Sequence, residues 1–137
     1  MNALLSIKPE YVDAIVKGTK RYEFRRTIFK KRVETAYIYC NSTVKRIVGC
    51  FTVGRVLRGT PKQIWRLCHQ EGGISEQNFF KYFENSTRAF AITIEDFCEF
   101  ETPLDPHNVW PTFRAPQSFY YIPAWYIMKP VQKGEEK

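Results

Sequence analysis

Long apolar runs are missing from this chain, as are paired metal-binding motifs and low-complexity stretches. Its apolar stretches span a handful of residues, well short of the roughly 20 needed to cross a bilayer. No membrane association is expected. Met1-Asn2 leads into ALLSI without the basic lead-in of a secretory signal, so the expected compartment is the cytoplasm. Four cysteines (Cys40, Cys50, Cys68, Cys98) stand singly, with no CxxC and only two histidines. A tetrahedral zinc site normally draws on two close ligand pairs, so neither a metal nor a cofactor is expected. The cysteines are read as reduced, mostly buried thiols, with Cys40 and Cys50 facing each other on neighbouring strands but unbridged.

Acidic residues are scarce in the first half. Residues 1–66 hold fifteen Lys/Arg against four Asp/Glu, whereas residues 67–137 hold six against ten. Such asymmetry is the footprint of a polyanion-binding face. Its densest part runs from Lys17 to Arg32, where Glu23 is the lone acid among eight cations. The 137 residues suit one domain, and 44% hydrophobic content is enough for a core. One unit over residues 1–130 with a polar tail, 131–137, is expected.

The pattern of elements points to an α+β fold. Ala3–Ile7 reads as a strand; Pro9 then opens a helix striped by Tyr11, Val12, Ile15 and Val16 and closed by Gly18. Arg21–Arg26 alternates aromatics with charge, the period of a half-buried strand. Thr35–Cys40 alternates again, and Arg46–Val56 is a long strand in which Gly49 and Gly54 suggest bulges. Thr60-Pro61 starts a helix through about His69, with Ile64, Leu67 and Cys68 inward. Gly72-Gly73 breaks it, and Ser75 caps another helix whose Phe79, Phe80 and Phe83 face the core. Arg88–Phe97 alternates, with Phe90, Ile92 and Ile94 on one face and Ala91 and Thr93 on the other. The prolines of residues 102–117 mark a wrapped loop before a last strand, Ser118–Ile122.

The segment ALLSIKPEYVDAIVKGTKRYEFRR resembles the signature of the ASCH family of the PUA-like superfamily. The matching elements are Ser6-Ile7-Lys8-Pro9, then Gly18-x-Lys20-x-x-Glu23-x-Arg25, with support from Ile47–Val56 and Ala115–Phe119. The resemblance covers residues 2–125. It implies a small mixed β-barrel with helices covering its ends and a cleft associated with RNA or modified nucleotides. Some small ASCH proteins look like amidohydrolases of N-acetylated cytidine that use a Lys, a Thr three residues on and a later Glu. Lys20 matches that lysine and Glu71 the later glutamate, but Glu23 stands where the threonine would be.

Read from the residues alone, Arg21, Glu23 and Arg25 would project together about 7 Å apart on one strand face, with Lys20 swinging toward them from the Gly18 turn. A lysine and two arginines can clamp a phosphate or carboxylate. The expected RNA- or nucleotide-binding set is Lys8, Lys20, Arg21, Glu23, Arg25, Arg26, Gln117 and Ser118. Trp110, Tyr120, Tyr121 and Trp125 lie where a loop can present rings to a base. The leading function is an RNA or nucleotide binder with a basic cleft. A hydrolase of RNA or a modified nucleoside, using Lys20 with Glu23 or Glu71, is the alternative, and a protein-interaction module is a third reading.

Overall fold

In a computed structural model that describes residues 1–124, the chain begins with strand β1 (Asn2–Ile7) and helix α1 (Pro9–Lys17). Lys8 is extended and Pro9 takes the first helical position, where a missing N–H costs nothing. Gly18 ends the helix in the left-handed conformation, φ 81°. Strands β2 (Tyr22–Arg25), β3 (Thr35–Cys40) and β4 (Arg46–Gly59) follow, then helices α2 (Pro61–Cys68) and α3 (Glu76–Tyr82), and strands β5 (Ala89–Leu104) and β6 (Phe119–Ile122). Thr60 and Gln63 form a reciprocal capping box at α2, and the Ser75 hydroxyl accepts from Asn78 N–H at α3.

The six strands form one sheet in the order β2-β5-β4-β3-β1-β6. Only β1 and β3 run parallel; the remaining neighbours are antiparallel. The sheet curls until its two edges meet, because Arg25 at the end of β2 reaches Ser118, immediately before β6. This is an α+β half-barrel with helices over its open sides. The β4–β5 register shifts between Ile47 and Gly49, between Cys50 and Thr52 and between Val53 and Val56. These irregularities include both glycines expected to bend the strand, and they give two long strands the curvature that closure requires.

Both faces of the sheet are covered, which explains the unbroken Ala3-Leu4-Leu5 run. Leu5 packs with Ile15 of α1, Ile38, Phe51 and Ile92. Leu4 faces the other way, against Tyr37, Tyr39 and Ile122, under Trp110 and Phe113 of the proline-rich wrap. A third cluster joins Phe24 and Ala91 to Ile64, Cys68, Phe79 and Phe83 beneath α2 and α3.

Several expectations need correction. β5 continues to Leu104 through the acidic stretch, because β4 pairs along it as far as Ile47–Leu104. β4 likewise continues past Val56 to Gly59. Leu67 is 66% exposed: the buried row of α2 is Ile64 and Cys68, four residues apart, and Leu67 falls outside it. Cys40 and Cys50 do not face each other. Cys40 lies opposite Arg46, while Cys50 lies between Tyr37 on β3 and Cys98 on β5. All four thiols are free, and burial, with a lesser contribution from Cys98, pushes Cys50 up to about 11. Among the described residues no group of three or more His, Cys, Asp or Glu side chains can hold a metal, and no helix is long and apolar enough to cross a membrane. Trp125 and the tail at 131–137 lie outside the described residues.

Burial in α2 gives a direct test. Ile64→Ala should cost about 2–5 kcal/mol in urea unfolding through the cavity it leaves, whereas Leu67→Gln should stay within about 0.5 kcal/mol.

Candidate functional site

Alternation along β2 puts Glu23 and Arg25 on one face and Phe24 on the other, yet all three are buried. The expected half-buried strand is therefore buried on both sides. Phe24 packs edge-on against Phe79 of α3, with ring centroids 5.0 Å apart. Glu23 and Arg25 turn toward β1 and the segment before β6. Arg25 Nη2 donates to Glu23 Oε2 at 2.8 Å and to the Ser6 carbonyl at 3.0 Å. Its Nη1 donates to the Ser118 carbonyl at 3.2 Å and the Ser118 hydroxyl at 3.4 Å. Arg25 Nε is buried with no partner.

Lys20 enters the same space from the end of α1. After the Gly18 turn, the amides of Thr19 and Lys20 both donate to the Ala14 carbonyl. Lys20 then bridges to Gly72, and this bridge resets the alternation before β2 begins. Its Nζ donates to the Gly72 carbonyl at 2.9 Å and lies 3.9 Å from Glu23 Oε1. It also sits over two rings, 4.6 Å from the Phe24 centroid and 5.2 Å from that of Tyr11. Gly73, with φ 62°, runs so close that any side chain there would collide with the Lys20 Cβ.

The reset corrects one expectation. Arg21 does not share a face with Glu23 and Arg25. It points to solvent, where its Nε lies 3.5 Å from Glu71 Oε2, and its amide donates to the Glu71 carbonyl. That exposed pair contributes under about 1 kcal/mol.

Lys20, Glu23 and Arg25 thus form a buried cluster of two cations and one carboxylate. Burial is the main cause that lowers the proton affinity of Lys20; Glu23 opposes it, and Arg25 adds to it. Tyr11 moves up, again chiefly by burial, and stays a phenol at neutral pH. The cluster forms part of the wall of a cavity of about 860 Å³. Lys8, Arg26, Gln117 and Ser118 also line it; Arg21 and Glu71 do not. The cavity lining carries five cations, Lys8, Lys20, Arg25, Arg26 and Lys81, against the two carboxylates Glu10 and Glu23.

Sequence reasoning missed the wall contributed by α3. Asn78, Lys81 and Tyr82 line the cavity, and the Arg26 guanidinium lies 4.9 Å from the Tyr82 centroid. Their spacing along one helical face was a usable signal, obscured by the three phenylalanines on the opposite side. Asn41, which donates to the Ser6 hydroxyl at 3.1 Å, and Tyr11 were also missed as cavity residues.

Arg25 and Lys20 should differ sharply in their contributions to stability. Arg25→Met strands the Glu23 carboxylate and two carbonyls, and is expected to cost about 3–5 kcal/mol. Lys20→Met leaves the Glu23–Arg25 pair intact and removes a desolvated ammonium, so its cost should be far smaller. Because folding lowers the proton affinity of Lys20, the folded chain holds fewer protons between its shifted value and the ordinary 10.5. Stability should therefore rise with pH in that window. Urea midpoints measured across it should lose this rise in Lys20→Met.

A family model described as the ASCH domain matches residues 5–97. The chain is similar to a Zymomonas mobilis protein named ASCH domain-containing ribonuclease, with 30% identity over 127 residues, 88% of this chain and 83% of that protein. The crystal structure of ASCH from Zymomonas mobilis has a TM-score of 0.81 at 28% identity, covering 90% of this chain and 89% of that one. A serine-to-alanine mutant of the same protein gives a TM-score of 0.82 over the same shares. A weaker similarity, 26% over 103 residues, is to large ribosomal subunit protein uL22 of Ureaplasma parvum; it covers 75% of this chain and 33% of that protein.

Proposed function

Given that the chain belongs to the ASCH domain family, we propose that its cavity binds single-stranded RNA and cleaves it beside Lys20. The observation that carries this reading is the buried Lys20–Glu23–Arg25 cluster at the wall of a nucleotide-sized cavity. Phosphates account for most of the affinity of proteins for RNA backbones. Lys8, Arg26 and Lys81 supply the surrounding cations that a strand entering the cavity requires. The relative named as a ribonuclease supports the catalytic half of the proposal.

In this reading the 2′-oxygen attacks the adjacent phosphorus and the bond to the 5′-oxygen breaks. An ammonium at its ordinary proton affinity cannot accept the 2′-proton at neutral pH. This step requires Lys20 to give up its proton, and burial lowers its proton affinity in that direction. Arg25 holds the wall behind it through Ser6, Ser118 and Glu23 and keeps a positive charge there. Tyr11, kept as a phenol, returns a proton to the departing oxygen. Two observations count against the N-acetylcytidine alternative. Glu23 stands in the threonine place, ion-paired to Arg25, and Glu71 pairs outward with Arg21.

Binding of labelled oligouridine should weaken with salt. Two or three neutralised phosphates give a log–log slope of about −1.4 to −2.1. Lys20→Arg keeps the charge but cannot give up its proton. It should retain binding while cleavage falls by about two orders of magnitude or more. Salt-independent binding, or undiminished cleavage by Lys20→Arg, would overturn the proposal.

A further inference from the structure

Cys50 and Cys98 stand directly opposite each other on β4 and β5. Opposed residues on antiparallel strands have Cα atoms about 4.5–5.5 Å apart and side chains on one face of the sheet. A disulfide spans Cα separations of about 4.4–6.8 Å, so either kind of opposed pair lies within its reach. Gly49, the preceding position on β4, permits a close approach of the strands. A Cβ there would lie 2.5 Å from the Cys98 carbonyl oxygen, a distance that no side chain tolerates. Both thiols are free and half-buried, whereas Cys40 and Cys68 are buried.

The pair sits on a short stretch of ladder. From Ile47–Leu104 to Gly49–Glu99, β4 advances two residues while β5 passes five; from Cys50–Cys98 to Thr52–Glu95, β4 advances two and β5 three. Asp96 turns left-handed within the second irregularity, φ 47°. Between the two, β4 and β5 are in register only at Gly49–Glu99 and Cys50–Cys98.

We propose that Cys50 and Cys98 form a reversible dithiol–disulfide site, closed by a low-molecular-weight disulfide and reopened by the corresponding thiol. Burial, the main cause, pushes the Cys50 thiol up to about 11, so Cys50 stays protonated and Cys98 reacts first. The deprotonated Cys98 sulphur attacks one sulphur of the oxidant, forming a mixed disulfide and expelling a thiolate. Cys50 then gives up its proton and attacks the Cys98 sulphur, and the second thiolate leaves. Two protein thiols are oxidised, and one small disulfide is reduced to two thiols. Closure staples β4 to β5 where their ladder is shortest. Neither cysteine lines the Lys20 cavity, so this site is independent of the RNA reading.

Full-length wild type and Cys50→Ser should be incubated without denaturant at rising ratios of glutathione disulfide to glutathione, then alkylated and mapped by mass spectrometry. Wild type should lose the mass of two hydrogens and yield one linked peptide, Cys50 to Cys98, which excess dithiothreitol removes. Cys40 and Cys68 should stay free. In the linked protein, amide exchange along β4 and β5 should slow by about tenfold or more. Cys50→Ser lacks the second sulphur and should retain glutathione on Cys98 as a stable mixed disulfide. The wild-type mass and peptide map decide the matter even if the serine variant fails to fold. Absence of the linked peptide at the most oxidising ratio would overturn the site. So would linkage that requires urea, linkage through Cys40 or Cys68, or glutathione accumulating on wild-type Cys98 without closure.

Discussion

One guanidinium closes this barrel. β2 and β6 are the two edges of the sheet, and among the described residues no backbone ladder joins them. Arg25 spans the gap through the carbonyls of Ser6 and Ser118 while Glu23 holds its remaining face. An arginine suits this task because its planar fork offers several donors in fixed directions and keeps its charge at any physiological pH. A lysine in its place would be a single point of attachment. Sheet curvature, the position of the segment before β6 and the cavity wall all depend on that contact.

The same closure creates the chemical asymmetry of the site. A carboxylate that serves two cations cannot neutralise both, and it lies nearer to Arg25, at 2.8 Å, than to Lys20, at 3.9 Å. Arg25 is thereby committed to structure, and Lys20 is left with a carbonyl, two ring faces and a distant carboxylate oxygen. Desolvation outweighs these partial compensations and lowers its proton affinity. Two neighbouring cations of the same motif thus differ: one joins the edges of the sheet, and the other sits desolvated at the cavity wall with weaker compensation.

Legibility in the sequence followed the range of the forces involved. The β1–α1–β2 start was readable nearly to the residue, because Pro9, Gly18 and the Tyr22–Arg25 alternation act within a turn or two of chain. The ASCH resemblance rested on those same local signals. What escaped depended on distant partners. Only the bridge from Lys20 to Gly72 decides that Lys20 turns inward and Arg21 outward. Asn78, Lys81 and Tyr82 join the cavity because α3 packs over Phe24, a pairing that no window of sequence contains. β5 outran its expected end because a partner strand, and not its own acidic residues, sets its length.

A seam joined by side chains behaves differently from the ladders around it. Backbone ladders unzip only when many hydrogen bonds are lost together, whereas this seam is joined through side chains: Arg25 to Ser118, Phe29 to Phe119, and the Tyr121 hydroxyl to the amides of Lys30 and Lys31. Local opening free energies follow such differences in contact density. The β2–β6 seam is therefore where the barrel can breathe while β3, β4 and β1 remain protected, and amide exchange would register it as the barrel's weakest line. The cavity lies along this seam, so the fold's point of least resistance is also the route by which its interior meets solvent.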